Sequence, residues 1–222
     1  MQNVDVLVRG AGAVGQCLAL AVARCGLRVA LRDAAPAAQA PSRDEVRAYA
    51  LNGASVALLC ELKVWQALAP SAVTAVHEMQ VHGDAPGAGL EFTAWQQHVA
   101  ALAWIVDAQA LHAELDAAIA FAPFITRVEA DVAAPLTALC EGKGSASRAA
   151  LGVQVERVDF GQSAIAARLI TSLDHQNVAH QWFRSPDVLA LLPLDAPQAQ
   201  ATYALVWSCP QARAQQLLAL AP

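Results

Sequence analysis

Three glycines that follow the first apolar run constrain this chain more than any other feature. Val4–Val8 is short and largely apolar, which favours a strand, and the sequence Gly10–Gly15 follows it at once. Apolar residues then recur at helical spacing until Gly26. Glycine at this position favours the left-handed cap that ends a helix. Arg28–Leu31 predicts a second strand, which ends at Asp33. The order strand, glycine turn, helix and strand predicts a βαβ unit.

Each glycine of this turn has a physical role in a unit that binds a dinucleotide. Gly10 makes the tight turn, Gly12 lets the backbone approach a pyrophosphate, and Gly15 lets the helix pack on the sheet. The helix N-terminus offers amide groups to the anion, and Asp33 is placed to bind a ribose hydroxyl. An alternative is a glycine turn that serves packing alone. The predicted contacts come from the turn, the first helical residues and the acid: Gly10, Gly12, Ala13, Val14, Gly15 and Asp33.

Composition excludes several classes of protein. The net charge is −5 with scattered cations, which argues against a nucleic-acid surface. The longest apolar runs are far too short to cross a bilayer, and no signal peptide is recognised, so we expect a soluble cytoplasmic protein. The five cysteines form no CxxC pair and the six histidines are dispersed, so we expect reduced thiols and no metal site. Arg9, beside the phosphate turn, is unusual and is interpreted as an exposed strand-end residue.

The rest of the chain has helical patterns in some segments and strand-like patterns in others. Ala34–Pro41 predicts a loop, Asn52–Leu62 a helix, and Asp107 is a good N-cap for a helix through Ile119. Short strands are expected at Met79–Val81 and Leu90–Phe92, around a turn at Gly83–Gly89, and then at Ser163–Ile170, Val178–Phe183, Leu189–Leu192 and Thr202–Ser208. Asp187 and Pro197 are interpreted as turn residues, and Cys209–Leu220 as the start of a helix. An α/β nucleotide-binding part is therefore interleaved with a mostly antiparallel β part.

Several later segments, in collinear order, resemble one family. They are Arg47–Asn52, Met79–Val81, Leu90–Phe92, Trp104–Asp107, Cys140–Arg148, Gln181–Phe183, Leu189–Leu194 and Val206–Ser208. Together they are similar to the FAD-dependent hydroxylases of ubiquinone biosynthesis, the class A flavoprotein monooxygenases that include the octaprenylphenol hydroxylases. The resemblance implies an α/β fold in which a Rossmann-like FAD-binding domain of the glutathione-reductase type is interleaved with a mostly antiparallel β-sheet substrate domain. The implied domains are residues 1–76 and 97–155 for FAD, and 77–96 and 156–222 for the substrate.

The resemblance also implies site residues. Arg47 matches an arginine that lies against FAD in the family. Glu141, Gly142, Ser145 and Arg148 match the motif Asp-Gly-x-x-Ser-x-x-Arg, which is associated with the FAD pyrophosphate and with NAD(P)H. Glu141 departs from the family by one methylene, which leaves its contacts open.

The implied reaction is hydroxylation of the ring of a prenylated phenol with NAD(P)H and O2. The cofactor supplies the difficult chemistry, so no catalytic side chain is assigned. His180 and its neighbour Gln181, on a substrate-domain strand, are weak candidates for a base.

One departure leaves the function open. The family's later Gly-Asp motif, which binds the ribityl chain, is absent, so we expect a C-terminally truncated form that binds FAD weakly or not at all. The alternatives are a non-catalytic flavoprotein-like binding module and an NAD-dependent Rossmann oxidoreductase. Expected partners are the prenylphenol, the periphery of the inner membrane, and either a second copy or another protein that covers the truncated face.

Overall fold

The structure, a computed structural model, describes residues 3–33 and 45–220. The chain divides into two compact units. The first unit comprises Met1–Asp44, Ala57–Leu68 and Gln109–Glu156, and the second comprises Glu45–Val56, Ala69–Ala108 and Arg157–Pro222. The predicted loop Ala34–Pro41 lies outside the described residues.

The elements are numbered in chain order. The strands are β1 Val6–Arg9, β2 Val29–Arg32, β3 Ala48–Leu51, β4 Val73–Val76, β5 Glu78–His82, β6 Gly89–Thr93, β7 Ala103–Asp107, β8 Ile125–Val128, β9 Leu136–Leu139, β10 Gln162–Ile170, β11 Val178–Arg184, β12 Asp187–Leu194 and β13 Thr202–Pro210. The helices are α1 Ala13–Arg24, α2 Gly53–Glu61, α3 Ala108–Phe121, α4 Ala146–Ala150 and α5 Gln211–Leu218.

The first unit contains a four-stranded sheet in the order β8-β2-β1-β9, and all its described pairings are parallel. The central strands are buried along their length, as expected for a parallel sheet covered on both faces. Helix α1 joins β1 to β2 and buries Ala19, Leu20 and Ala23. Gly26 ends this helix with φ of +82°, a conformation that glycine adopts without strain. The predicted strand, turn, helix and strand are thus present.

The helices predicted at Asn52–Leu62 and after Asp107 form close to their expected bounds, as α2 and α3. The side chain of Asn52 accepts a hydrogen bond from the amide of Ser55 (2.9 Å) at the start of α2. Helix α3 buries the predicted stripe of Leu111, Leu115 and Ile119. Asp107, predicted as the N-cap of α3, is the last residue of β7, and its carboxylate accepts a hydrogen bond from Arg168.

The second unit contains two sheets. The larger has the order β10-β13-β12-β11-β5-β6 and is antiparallel except where β11 pairs with β5. The smaller has the antiparallel order β3-β7-β4. Buried residues from both sheets form one apolar cluster: Val76, Ile105, Ala179, Leu194 and Ala204. The sheets therefore pack face to face within this unit, as apolar burial favours.

The structure corrects two sequence predictions in the second unit. Asp187 is not a turn residue, because it pairs with Arg184 at the start of β12 and its side chain is buried. Cys209 and Pro210 belong to β13 rather than to the following helix, which begins at Gln211. Strands β12 and β13 each pair with a neighbour on both sides. This pairing extends them to residues whose local sequence had indicated a turn or a helix.

The mixed α/β architecture with several sheets agrees with the expected fold class, while the glutathione-reductase subtype stays a prediction. The compact units differ from the proposed domain bounds, since residues 45–56, 69–76 and 97–108 cluster with the second unit. Among the helices of the described ranges, none combines the length and apolar character needed to cross a bilayer.

Candidate functional site

Two glycines of the turn after β1 are required by the packing of the first unit. Gly10 has φ of +108°, and its amide donates to the carbonyl of Arg32 (2.7 Å). A β-carbon on Gly10 would overlap the carbonyl group of Cys140, and one on Gly15 would overlap the carbonyl oxygen of Gly10. Any side chain at either position would therefore force the strand, the helix and the segment after β9 apart.

Gly12 differs from the other two glycines. Its φ of −72° is open to any residue, and no described atom lies within 4 Å of the place its β-carbon would take. The fold itself therefore does not demand glycine here. The open space above the turn is what a ligand needs if it is to approach the backbone closely.

Gly12 is also the N-cap of α1, where no side chain caps the helix in the described structure. The first helical residues include no acid, and Val14 is 73% exposed. The first amides of a helix have no intrahelical acceptor, and the helix dipole adds partial positive charge at this end. The turn thus fits a phosphate or pyrophosphate.

An ion-pair network lies beside the turn. The guanidinium of Arg9 donates to Asp131 (3.0 and 2.5 Å) and to the hydroxyl of Ser147 (2.7 Å), and Arg32 also binds Asp131 (2.6 Å). Hydrogen bonds from Arg32 and then from Arg9 hold the pKa of the Asp131 carboxyl below its usual range. Arg9 is the last residue of β1, as predicted, but its side chain is only 26% exposed and is held by these partners rather than directed freely into solvent.

Strand β9 lies beside β1 and leads into the motif that begins at Glu141. The amide of Cys140 donates to the carbonyl of Arg9 (2.7 Å), which fixes the start of the motif against the glycine turn. Gly142 has φ of +70°, a left-handed conformation that favours glycine. This parallel pairing of strands far apart in sequence brings the two predicted glycine segments together.

Both carboxylate oxygens of Glu141 have protein partners. The hydroxyl of Ser145 donates to one (2.5 Å) and that of Ser147 to the other (2.8 Å). The Ser145 hydrogen bond is the main cause of the lowered pKa of the Glu141 carboxyl. Ser145 also accepts from the amide of Arg148 (3.1 Å) and so caps α4, while the Arg148 guanidinium donates to the carbonyl of Lys143 (3.1 Å). The glutamate here orders its own loop.

The remaining predicted contacts are described separately. Asp33 directly follows β2 and is exposed. Arg47 belongs to the second unit, where its guanidinium donates to both carboxylate oxygens of Glu45 (2.7 and 2.5 Å). The hydrogen bond to Glu45 raises the pKa of Arg47. Contacts of these residues with a cofactor stay predictions.

His180 lies on β11 among aromatic side chains of the second unit. Its ring stacks on Trp182, with ring centroids 5.4 Å apart, and on His82, at 6.3 Å. Burial lowers the pKa of His180, and the neighbouring His82 lowers it further. No acid is hydrogen-bonded to it within the described part of the chain, so a role as a base gains no support.

The sequence-based predictions missed Asp131 and Ser147, which join Arg9 to the glycine motifs. Ser147 could have been noted, because it stands two residues after the predicted Ser145. Asp131 carries no local signal, since its role depends on Arg9 and Arg32 lying side by side in a parallel sheet.

Comparison with solved structures defines the class of fold. No family model matches the sequence. The chain shares the fold of FAD-dependent monooxygenases, at sequence identities of 19% or less.

Three solved structures illustrate the likeness. PqsL, a probable FAD-dependent monooxygenase from Pseudomonas aeruginosa, has a TM-score of 0.75 and 19% identity, over 98% of this chain and 64% of PqsL. p-Nitrophenol 4-monooxygenase PnpA from Pseudomonas putida DLL-E4 has a TM-score of 0.74 and 15% identity, over 98% of this chain and 62% of PnpA. A point variant of HpxO from Klebsiella pneumoniae, complexed with FAD, has a TM-score of 0.69 and 15% identity, over 94% of this chain and 57% of HpxO. This chain thus spans less than two thirds of each.

Proposed function

We propose that this chain is the front portion of an FAD-dependent monooxygenase and that its glycine turn holds the FAD pyrophosphate. The observation that carries the proposal is the contrast between Gly12 and its two neighbours. Gly10 and Gly15 are explained by packing, whereas no packing contact requires glycine at position 12, and its open side leaves room for a ligand that approaches the turn. The alternative of a glycine turn that serves packing alone accounts for two of the three glycines.

The residues of the first unit suggest how each part of FAD is held. The amides at the start of α1, from Ala13 and Val14, would donate to the pyrophosphate. Asp33 would accept a hydrogen bond from the adenosine ribose. The loop from Glu141 to Arg148 is ordered by its own hydrogen bonds, so Gly142 and the backbone around it can face the cofactor without further ordering cost.

FAD, when bound, supplies electron transfer from NAD(P)H and the activation of O2. The protein's part is to bind, orient and shield the reactants. Arg47, held by Glu45, is proposed to lie against the cofactor.

The proposed substrate is an aromatic phenol with a prenyl tail, a precursor of ubiquinone. The sequence likeness of the second-unit strands to that family supports it. One face of the six-stranded sheet also carries partly exposed apolar side chains at Phe92, Phe183 and Val206, 37–42% exposed. Such a surface suits a flat apolar ring. By the same likeness, the proposed location is cytoplasmic with peripheral contact to the inner membrane, and a second copy or another protein covers the remaining apolar surface.

Titration of the purified 222-residue chain with ADP and with FAD tests the cofactor site. We expect ADP to bind. FAD should bind only weakly, because its flavin half should add little affinity. The G12A variant should lose both, because a methyl group fills the space above the turn, while G53A serves as a control glycine change in open space at the start of α2. Equal ADP affinity in G12A and the original chain would overturn the proposal.

The same material separates the alternative functions. NADH oxidation by a colourless chain without added FAD would favour an NAD-dependent oxidoreductase, which shares the glycine turn and Asp33. Absence of any nucleotide binding, together with a folded chain, would favour a non-catalytic binding module.

A further inference from the structure

The six-stranded sheet of the second unit ends in two outer strands, β6 and β10, and each has one edge that no other described strand pairs with. An open edge presents a row of amide and carbonyl groups that can pair with another strand. Strand β10 has nine residues and β6 has five. Strand β10 therefore offers the longer row of such groups to a partner.

Two hydrogen bonds at the ends of β10 show which of its residues face the open edge. The amide of Thr171 donates to the carbonyl of Ala201 (2.8 Å), and the amide of Gln211 donates to the carbonyl of Gly161 (3.0 Å). Both pairs continue the antiparallel register of β10 with β13, in which hydrogen-bonded and non-hydrogen-bonded pairs alternate. Odd-numbered residues of β10 therefore bond to β13. The backbone groups of the even-numbered residues point to the open edge, where no backbone partner is found in the described ranges: Gln162, Ala164, Ala166, Arg168 and Ile170.

Strand β10 lacks the features that keep an open edge from pairing. Such edges are protected by proline, by bulges or by charged side chains. Strand β10 has no proline, its register with β13 is unbroken, and its one charged side chain, Arg168, is bonded to Asp107. Strand β6 differs, because the amide of Ala94 donates to the carbonyl of His77 (2.7 Å), which places the exposed Glu91 among the residues that face its open edge. The carboxylate of Glu91 disfavours the pairing of two β6 strands with each other.

Exposed apolar side chains lie at both ends of β10. Val158 and Phe160 precede the strand, whereas Ile170 ends it and Leu173 follows it, and the four side chains are 61–83% exposed. In an antiparallel pair of identical strands, the beginning of one strand lies beside the end of the other. Two β10 strands paired in this way would bring Val158 and Phe160 of each copy beside Ile170 and Leu173 of the other. A second copy therefore covers the apolar residues at both ends.

One register gives every outward-facing residue of β10 a counterpart. When Ala166 lies on the two-fold axis, it is opposite its own copy, Ala164 is opposite Arg168, and Gln162 is opposite Ile170. These pairs then exchange backbone hydrogen bonds along the whole strand. No like charges meet, because each Arg168 is opposite an alanine. Strand β10 is thus complementary to itself in hydrogen bonds, in charge and in its apolar ends.

We propose that two copies of this chain associate through β10, in an antiparallel pairing with Ala166 on the two-fold axis, so that their six-stranded sheets join into one continuous sheet. Of the two covers named in the proposed function, this pairing selects the second copy. It requires neither FAD nor the monooxygenase reaction, so its failure and theirs are separate results.

Sedimentation equilibrium of the whole 222-residue chain, without added cofactor, measures the association. We expect a reversible equilibrium between monomer and dimer. Hydrogen exchange followed by NMR, below and above the dissociation constant, should show that the amides of Ala164, Ala166 and Arg168 exchange more slowly in the dimer. The amide of Glu91, at the open edge of β6, should exchange equally fast in both forms. A chain that stays monomeric up to about 1 mM, or a dimer that leaves the three β10 amides unprotected, would overturn the proposal.

Charge changes at the two-fold axis test the register. A166K and A166D should each weaken the dimer about fivefold or more, because the new side chain meets a like charge on the other copy. An equimolar mixture of A166K and A166D should restore the dimer, since opposite charges then meet. L90K places the same charge on an exposed residue of β6 and should leave the dissociation constant within about twofold of the original value.

A mixture of folded A166K and A166D that associates no more tightly than either variant alone would overturn the proposal. Loss of the dimer in L90K, with A166K unchanged, would also overturn it and would assign the interface to β6. The hydrogen-exchange measurement on the original chain decides between β10 and other interfaces even if a variant fails to fold.

Discussion

The carbonyl oxygen of Gly10 occupies the space that a β-carbon on Gly15 would need. The backbone at the end of strand β1 therefore lies directly against the backbone of helix α1, with no room for a side chain between them. This contact also separates the structural glycines from Gly12, whose side is open. The distinction leads to the first prediction.

We expect G10A and G15A to lower the free energy of unfolding by about 2 kcal/mol or more, because each added methyl group overlaps backbone atoms. In a chain of this size the melting temperature should fall by roughly 4–8 °C. G12A should change the stability by only about 0.5 kcal/mol, since Gly and Ala differ modestly at an open position. Thermal melts followed by circular dichroism give the comparison, with G53A as a neutral reference. A large destabilisation by G12A would show that packing accounts for all three glycines.

Glu141 should contribute a pH-dependent stability. Its pKa is lowered in the folded chain, first by the hydrogen bond from Ser145, so its contribution is full above the unfolded pKa of about 4.3 and is lost as the pH falls through the folded pKa. E141Q should lower the stability at pH 7 by roughly 0.5 kcal/mol, a small value because the group is well solvated. This difference in stability between E141Q and the original chain should disappear as the pH is lowered.

Urea midpoints of both forms, measured from pH 7 to about pH 3, test this dependence. E129Q changes an exposed glutamate of the same unit and should show a smaller gap at pH 7. A gap between E141Q and the original chain that stays constant with pH would contradict the proposed hydrogen-bonded carboxylate.

Asp131 should weaken anion binding at the turn, because it neutralises both Arg9 and Arg32. The D131N variant should bind ADP about threefold more tightly at low salt, and the gain should fade as salt screens the charges. Calorimetric titrations at two salt concentrations measure the effect. E129Q makes the same charge change nearby, so an equal gain in E129Q would assign the effect to net charge rather than to the arginines.

Among the described ion pairs of the second unit, the one between Arg168 and Asp107 should lower the free energy of unfolding most when a single partner is removed. Their side chains are only 20% and 16% exposed, so removal of one leaves the other charge poorly solvated. R168M should lower the free energy of unfolding by roughly 3 kcal/mol, whereas the double variant R168M/D107L should recover a large part of it. Urea denaturation of the original chain, R168M, D107L and R168M/D107L closes the cycle, and additive losses in the double variant would refute the coupling.

Local patterns predicted the elements that carry their own signals. The glycine turn, the apolar stripes of α1 and α3, and the hairpin around Gly83–Gly89 follow from spacing and turn chemistry alone. Strands β8 and β9 were missed because their own sequences carry no clear strand pattern, and their place in the sheet depends on parallel pairing with β2 and β1.

The same division holds for the candidate site. The amino-acid sequence by itself determined where a phosphate can meet a helix N-terminus, since glycine positions and the helix that follows are local properties. Only the tertiary structure decided which of the three glycines is free to face a ligand. It also decided that Arg9 is matched by Asp131, and that the buried Asp187 accepts a hydrogen bond from Trp207 while its other oxygen has no partner among the described residues. The last two relationships join residues 20 or more positions apart, and they arise from strand register and side-chain packing, which no local pattern encodes.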